Sequence, residues 1–210
     1  IGICQRAFRD CYWGDQTVKV SKFMLFDDAS TVQAFDTITV DVLVNDIYPD
    51  AYTPVLNDAA IKTKPKAGTL SFKGTGTDAR IIYKHTGKEE LTDGIDRFTY
   101  QLSYTDQVSG ETVTDSAYVY IYVLQNTSGK LATCYGVDIS IELKELPAAT
   151  AFWWSSDSVG SDTIPEPGTI SNVTVPQTFF VRPEVTTAPY DAFIFPYAKL
   201  VVQPIGDNST

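Results

Sequence analysis

The stretch Val113 to Leu124 constrains the fold more than any other part of this chain. It alternates at period two, and both of its faces are apolar. Ala117, Val119, Ile121 and Val123 fall on one face, and Tyr118, Tyr120 and Tyr122 on the other. Successive side chains of a strand point to opposite sides of a sheet, so the tyrosine face is not simply a solvent face. Cross-strand aromatic pairing within one sheet is the simplest account of it. The alternatives are a half-buried sandwich edge or contact with a neighbouring unit.

Similar runs recur along the chain. Thr37 to Val44, Thr69 to Phe72, Arg80 to Lys84 and Asp96 to Tyr104 read as strands, as do Tyr135 to Leu143, Thr150 to Trp154, Thr178 to Pro183 and Tyr197 to Gln203. Val55 to Ile61 reads as a shorter one, and Phe23 to Phe26 as the start of the series. Clusters of Gly, Pro, Asp and Asn separate these runs, and helical periodicity is nearly absent. Thr86 to Gly94 has room for one helical turn around Glu89-Glu90-Leu91. The expected fold is all β, arranged as two tandem β-sandwiches. Residues 23–125 form the first and 131–205 the second, joined by a polar linker at 126–130 and followed by a tail at 206–210. Residues 1–22 belong clearly to neither. Gln5 to Trp13 reads as a short helix or an aromatic-rich loop.

Composition narrows the function. Sixteen basic against twenty-six acidic residues give a net charge of −10. That argues against nucleic acid, whose phosphates must be neutralised by Lys and Arg, and against anionic lipid. No apolar run is long enough to span a bilayer. The first residues, Ile1-Gly2-Ile3-Cys4, lack a basic region followed by an apolar one, so the chain reads as a mature or trimmed piece of something longer. A single histidine, His85, excludes a multi-histidine zinc site, and any triad would have to run through it. His85 follows a strand run with no nucleophile placed beside it, so it reads as an ordinary surface or turn histidine. The expectation is a chain that is not an enzyme.

The three cysteines, Cys4, Cys11 and Cys134, are an odd number. Cys4 and Cys11 are close enough to close a small loop. A bond from either to Cys134 is the rival, and three small buried side chains the plainest reading.

Five segments of the first unit resemble bacterial cadherin-like or Ig-like surface repeats, in the family's order. They are Phe26-Asp27-Asp28-Ala29-Ser30-Thr31, Thr39 to Asp50 (TVDVLVNDIYPD), Lys66 to Leu70, Gly94 to Tyr100 (GIDRFTY) and Ser116 to Leu124. The second unit is similar, more loosely, to Ig-like domains of large extracellular Bacteroidetes proteins. Cys134 to Ile139, Phe152-Trp153-Trp154-Ser155 and Thr178 to Val181 carry that likeness. The second cysteine those domains often carry is missing here. The resemblance implies a secreted or cell-surface bacterial protein, built of tandem Ig-like or cadherin-like sandwiches, that serves adhesion or forms a stalk. Its implied partners are neighbouring Ig-like domains of a longer chain and a host or surface glycan or protein. Related modules hold calcium between domains, which makes Asn45, Asp46, Asp50 and Asp58 candidate Ca²⁺ ligands, although Asx side chains also stabilise turns by themselves. No other cofactor is expected.

In the second unit Phe152 and Trp154 share a strand face and are expected in the core, as in Ig-like sandwiches. Trp153 takes the other face. An exposed Trp153, with Tyr190 and Phe193 on a nearby loop, would offer flat surfaces to a sugar ring, so an accessory carbohydrate-binding module is the second reading. A phage or capsid decoration domain is the third.

Overall fold

The computed structural model describes residues 23–107, 109–127 and 131–206. Among them fourteen strands carry the fold, and the helical pieces are three short 3-10 turns. The strands are β1 (Asp28–Gln33), β2 (Thr37–Val40), β3 (Ile61–Thr63), β4 (Gly68–Lys73), β5 (Arg80–His85), β6 (Ile95–Thr105) and β7 (Thr112–Leu124). The second half adds β8 (Ala132–Cys134), β9 (Ile139–Ser140), β10 (Ala149–Ser155), β11 (Thr163–Ile164), β12 (Thr169–Ile170), β13 (Gln177–Val185) and β14 (Ala198–Ile205). The chain is all β, in layered sheets.

One sheet, ordered β1-β7-β6-β3, stands between two others. Its long hairpin β6–β7 pairs antiparallel from Ile95–Tyr122 to Thr105–Thr112. On one side lies the sheet β2-β5-β4. Val119, Ile121 and Val123 of β7 meet Val40, Ile81 and Tyr83 there in the first core. On the other side lie the sheet β11-β10-β13-β14-β8 and the ribbon β12–β9. Tyr120, Tyr122 and Leu124 of the same strand join Trp154, Val181 and Leu200 in a second core.

This settles the tyrosine face. The rings of Tyr120 and Tyr122 do not pair across strands within their own sheet but meet the second unit. Tyr120 packs on Tyr190 and Phe193, with centroids 5.3 and 5.2 Å apart, and Tyr122 meets Phe152 and Phe195 at 6.3 and 6.2 Å. Tyr118, nearer the open end, stays half-exposed and stacks on Tyr120. Each buried ring contributes roughly 1.5–3 kcal/mol by leaving water, so the two units are held side by side by the strand that completes the first.

The same alternation explains where strands stop. Val42 and Leu43 are adjacent and both buried, which a strand with one core face cannot provide, so β2 ends at Val40 rather than running to Val44. Asn57 caps a 3-10 turn at Asp58–Ala60 by accepting from the Ala59 and Ala60 amides, so Val55 to Ile61 is not a strand. Tyr135 to Leu143 is also broken: Gly136 has φ +75 and Asp138 accepts from the Asn172 amide, leaving β9 two residues long. Glu89 lies in a bend and Glu90-Leu91 in irregular chain, so no helical turn forms there. β1 and β8 are strands that local pattern does not announce. Each pairs parallel with the last strand of its unit, β1 with β7 and β8 with β14.

Asp96 locks the first sandwich from inside. It is 1% exposed, and its carboxyl group accepts from the amides of Lys66, Ala67 and Arg97 and from the Tyr83 hydroxyl, at 2.8–2.9 Å. One side chain thereby ties β6 to the β3–β4 crossing and to β5. Gly68 has no side chain because the Tyr83 ring fills the space: a Cβ there would lie 2.2 Å from it.

Substitutions at two positions test this arrangement. Asp96→Ala removes the acceptor of three amides and a buried hydroxyl and is expected to cost on the order of 3 kcal/mol or more in urea denaturation. The Tyr122 hydroxyl is buried with no hydrogen-bond partner, so Tyr122→Phe is expected to leave stability unchanged or slightly raised. Tyr122→Ala, which empties the seam between the units, is expected to cost about 3–5 kcal/mol.

Candidate functional site

Three places bring chemistry-bearing side chains together. The first is the end of the first sandwich, where the Asp27-Asp28 start of β1, the Asn45-Asp46 turn and Asp115 of β7 converge. Most of their oxygens hold backbone. Asp46 accepts from the Phe26 amide and the Tyr100 hydroxyl, each at 2.8 Å. Asp115 accepts from the Leu25 amide at 3.1 Å and Asp27 from the Tyr118 amide at 2.7 Å. Asn45 donates to the Asp27 carbonyl. These bonds fasten residues 25–28 to β7 and to the turn.

Asp28 is the exception. Its Oδ2 is buried without a partner. Burial first, and then the neighbouring Asp46, push its pKa from 3.8 up to about 8. Burial also raises Asp46, to about 6, against the hydrogen bonds from Phe26 and Tyr100 that lower it. Among the calcium candidates, Asn45 and Asp46 lie in this cluster, with both Asp46 oxygens taken by protein donors. Asp50 is exposed in the following turn, and Asp58 opens the 3-10 turn capped by Asn57. Among the described residues no group of three or more His, Cys, Asp or Glu side chains stands where one metal ion could be held.

The sign of the pH effect follows from the raised values. Between 3.8 and about 8 the folded chain keeps a proton on Asp28 that the unfolded chain has lost, so stability falls as pH rises through that window. The melting temperature is expected to be lower at about pH 8 than at about pH 5. Asp28→Asn is expected to flatten that slope and to raise the melting temperature at the alkaline end.

The second place surrounds His85, which is not a surface histidine. It is 4% exposed because it closes the inner face of β5. Its Nδ1 accepts from the Phe35 amide at 2.9 Å, and its ring meets that of Phe35 at 5.4 Å. Burial lowers its pKa, opposed by Asp96. Phe35 itself sits at φ +67 and is 67% exposed. With Nδ1 occupied by a backbone amide, the ring has no free base aimed at a nucleophile.

The third place is a row across the outer face of the second unit. Trp153 of β10 is paired in register with Arg182 of β13. The Arg182 guanidinium lies 5.7 Å from the Trp153 ring centroid and 5.5 Å from that of Tyr197, immediately before β14. Trp153 is 40% exposed, whereas Trp154 is 3% exposed and Phe152 packs on the second core. The Ser155-to-Gly168 loop borders the row. Asp157 accepts from the amides of Val159, Gly160 and Ser161, and the Ser161 bonds hold its pKa down at about 2. Gly160 lies against the Tyr197 ring so closely that a Cβ would stand 2.5 Å from it.

The two loop aromatics expected beside Trp153 are elsewhere. Tyr190 is 5% exposed in the seam between the units, where its hydroxyl donates to Asp93 and Arg97 covers its ring. Phe193 is packed on Tyr120 in the same seam. They are cement, not platforms, because the tyrosine face of β7 needed aromatic partners. Arg182 and Tyr197 take their place beside Trp153. Sequence reasoning missed both because only the strand register places them there. Cys134 is exposed on β8; Cys4 and Cys11 lie outside the described residues.

No family model matches the chain, and no curated protein matches it. Among solved structures it is similar to Drosophila N-cadherin EC1-4, at 10% identity and a TM-score of 0.22, over 85% of this chain and 49% of that one. The chain thus spans about half the length of that structure. With so loose a superposition, the all-β assignment rests on the strands themselves.

Proposed function

We propose that this chain is a non-enzymatic, extracellular module of a bacterial cell-surface adhesin or stalk protein, set among neighbouring Ig-like domains of a longer chain. The observation that carries this reading is the shared sheet. Two units packed through the aromatic face of one strand form a stiff body rather than beads on a flexible linker, which suits a part that holds a binding surface at a distance. The Asx-fastened strand ends and the family likeness of Phe26 to Leu124 support it, and His85 is occupied structurally. An antibody against the chain is expected to label intact source cells, and deletion of the gene to weaken their attachment. Labelling only after lysis, or turnover of a substrate by the purified chain, overturns the reading.

The Trp153–Arg182–Tyr197 row favours a second reading, an accessory carbohydrate-binding module. An exposed indole offers a flat face to a pyranose ring, and the adjacent guanidinium offers paired donors to its hydroxyl or carboxylate groups. On this reading a glycan array shows binding that Trp153→Ala reduces at least roughly tenfold, about 1.4 kcal/mol. An array with no signal removes it.

A further inference from the structure

We propose that the open side of the first sandwich, between β3 and β4, is a docking groove for an extended acidic peptide that adds a strand to β4. Charge is one half of the fit. Residues 59–77 contain Lys62, Lys64, Lys66 and Lys73 and no Asp or Glu, in a chain whose net charge is −10. The rest of the protein is therefore more acidic still, and its positive charge is concentrated here. Lys88 returns to the same place from the loop after β5. None of these five lysines forms an ion pair among the described residues, and all are exposed.

The backbone is the other half. β3 is the edge of the central sheet and β4 the edge of the outer one. The chain crosses from one to the other at residues 64–67, with Pro65 and Ala67 buried and Lys64 and Lys66 turned outward. The outer edge of β4 has no strand beside it among the described residues, so the amides and carbonyls that face outward, at every second residue of Gly68–Lys73, are open to pairing. A groove of about 330 Å³ opens there, lined by Ile61, Lys64, Pro65, Thr69, Leu70 and Lys88, with one acidic side chain, Asp58, in its lining. It therefore offers an apolar floor, flanking ammonium groups and a free strand edge together. That combination fits a peptide in strand form: main-chain bonds give it affinity, and alternate side chains give it specificity. Acidic residues at every second position would face the lysines, while the intervening residues lie over Ile61 and Leu70. The groove is on the first unit, whereas the Trp153 row is on the second, so the two proposals stand or fall separately.

The test uses the whole chain and an eight-residue peptide alternating Glu and Thr. Its binding is followed by amide chemical shifts at low salt and again at about 0.5 M salt, where exposed charges are screened beyond a few ångströms. The expected result is saturable binding with shifts concentrated on Gly68–Lys73, weakened at least roughly tenfold at high salt. The Lys64→Glu/Lys66→Glu variant is expected to lose it by a similar factor. Both side chains are exposed, and an unchanged melting temperature confirms that the variant is folded. A peptide of the same charge with central prolines, unable to pair as a strand, is expected not to bind. No binding at low salt overturns the proposal. So does equal binding of the proline peptide or of an oligogalacturonate, because either would mean a polyanion patch without strand addition.

Discussion

The molecule depends on one strand being buried on both of its faces. In the C-terminal half of β7 every residue from Val119 to Leu124 is buried. Odd-numbered positions fill the core shared with β2-β5-β4 and even-numbered positions fill the core shared with the second unit. A one-residue slip of β7 against β6 would put tyrosines where the first core holds Val119, Ile121 and Val123, and valines and isoleucine into the aromatic seam. Both errors are costly, because interiors are close-packed and a change of a single methylene is felt. The eleven-residue register from Ile95–Tyr122 to Thr105–Thr112 is thus fixed from two sides. The parallel pairing of β1 along β7 follows from it, since β1 is held at its start by Asp27, whose carboxylate accepts from Tyr118.

Carboxyl groups at strand ends divide into two kinds, and hydrogen-bond supply separates them. Asp96 is almost fully buried yet receives four donors, which compensates a burial that would otherwise cost several kcal/mol. Asp28 is partly buried and has one oxygen with no donor at all. Its neighbour Asp46 adds repulsion, so holding a proton is its easiest solution. The same residue type in the same kind of position therefore serves as a cross-brace in one place and as a pH-dependent weak point in the other. What distinguishes them is whether the crossing at residues 66–67 delivers backbone amides to the site.

Much of the fold was legible in the residues. The period-two runs locate β4, β5, β6, β7, β10, β13 and β14 to within a few positions, because each has a core face and turn residues at its ends. β1, β3, β8, β11 and β12 went unseen: β3, β11 and β12 are two or three residues long, and β1 and β8 pair parallel with partners far along the chain, so none has a local signature. The site was less legible. Alternation alone separates Trp153 from Trp154. Arg182 and Tyr197 join Trp153 only through register, and Tyr190 and Phe193 leave it because the tyrosine face draws them into the seam. Aromatic residues in a loop look alike in sequence whether they meet solvent or another unit.

Local rules are broken most clearly around Phe35. A phenylalanine at φ +67 carries a steric cost of roughly 1–2 kcal/mol that glycine would avoid. Its neighbours explain why the conformation holds. The Phe35 amide donates to His85 Nδ1, and the next residue, Asp36, offers its carbonyl to the His85 amide at 3.0 Å. The Phe35 ring lies over Gly87, where a Cβ would stand 2.7 Å from it. The turn between β1 and β2 is thus read by β5 through two hydrogen bonds and a ring contact. That turn carries the chain from the central sheet to the outer one, so His85 fixes the point where the two layers of the first sandwich are joined. A neutral imidazole is required for this, since a protonated Nδ1 would face an amide N–H donor to donor. The burial that lowers the His85 pKa and the geometry that needs it neutral therefore work in the same direction.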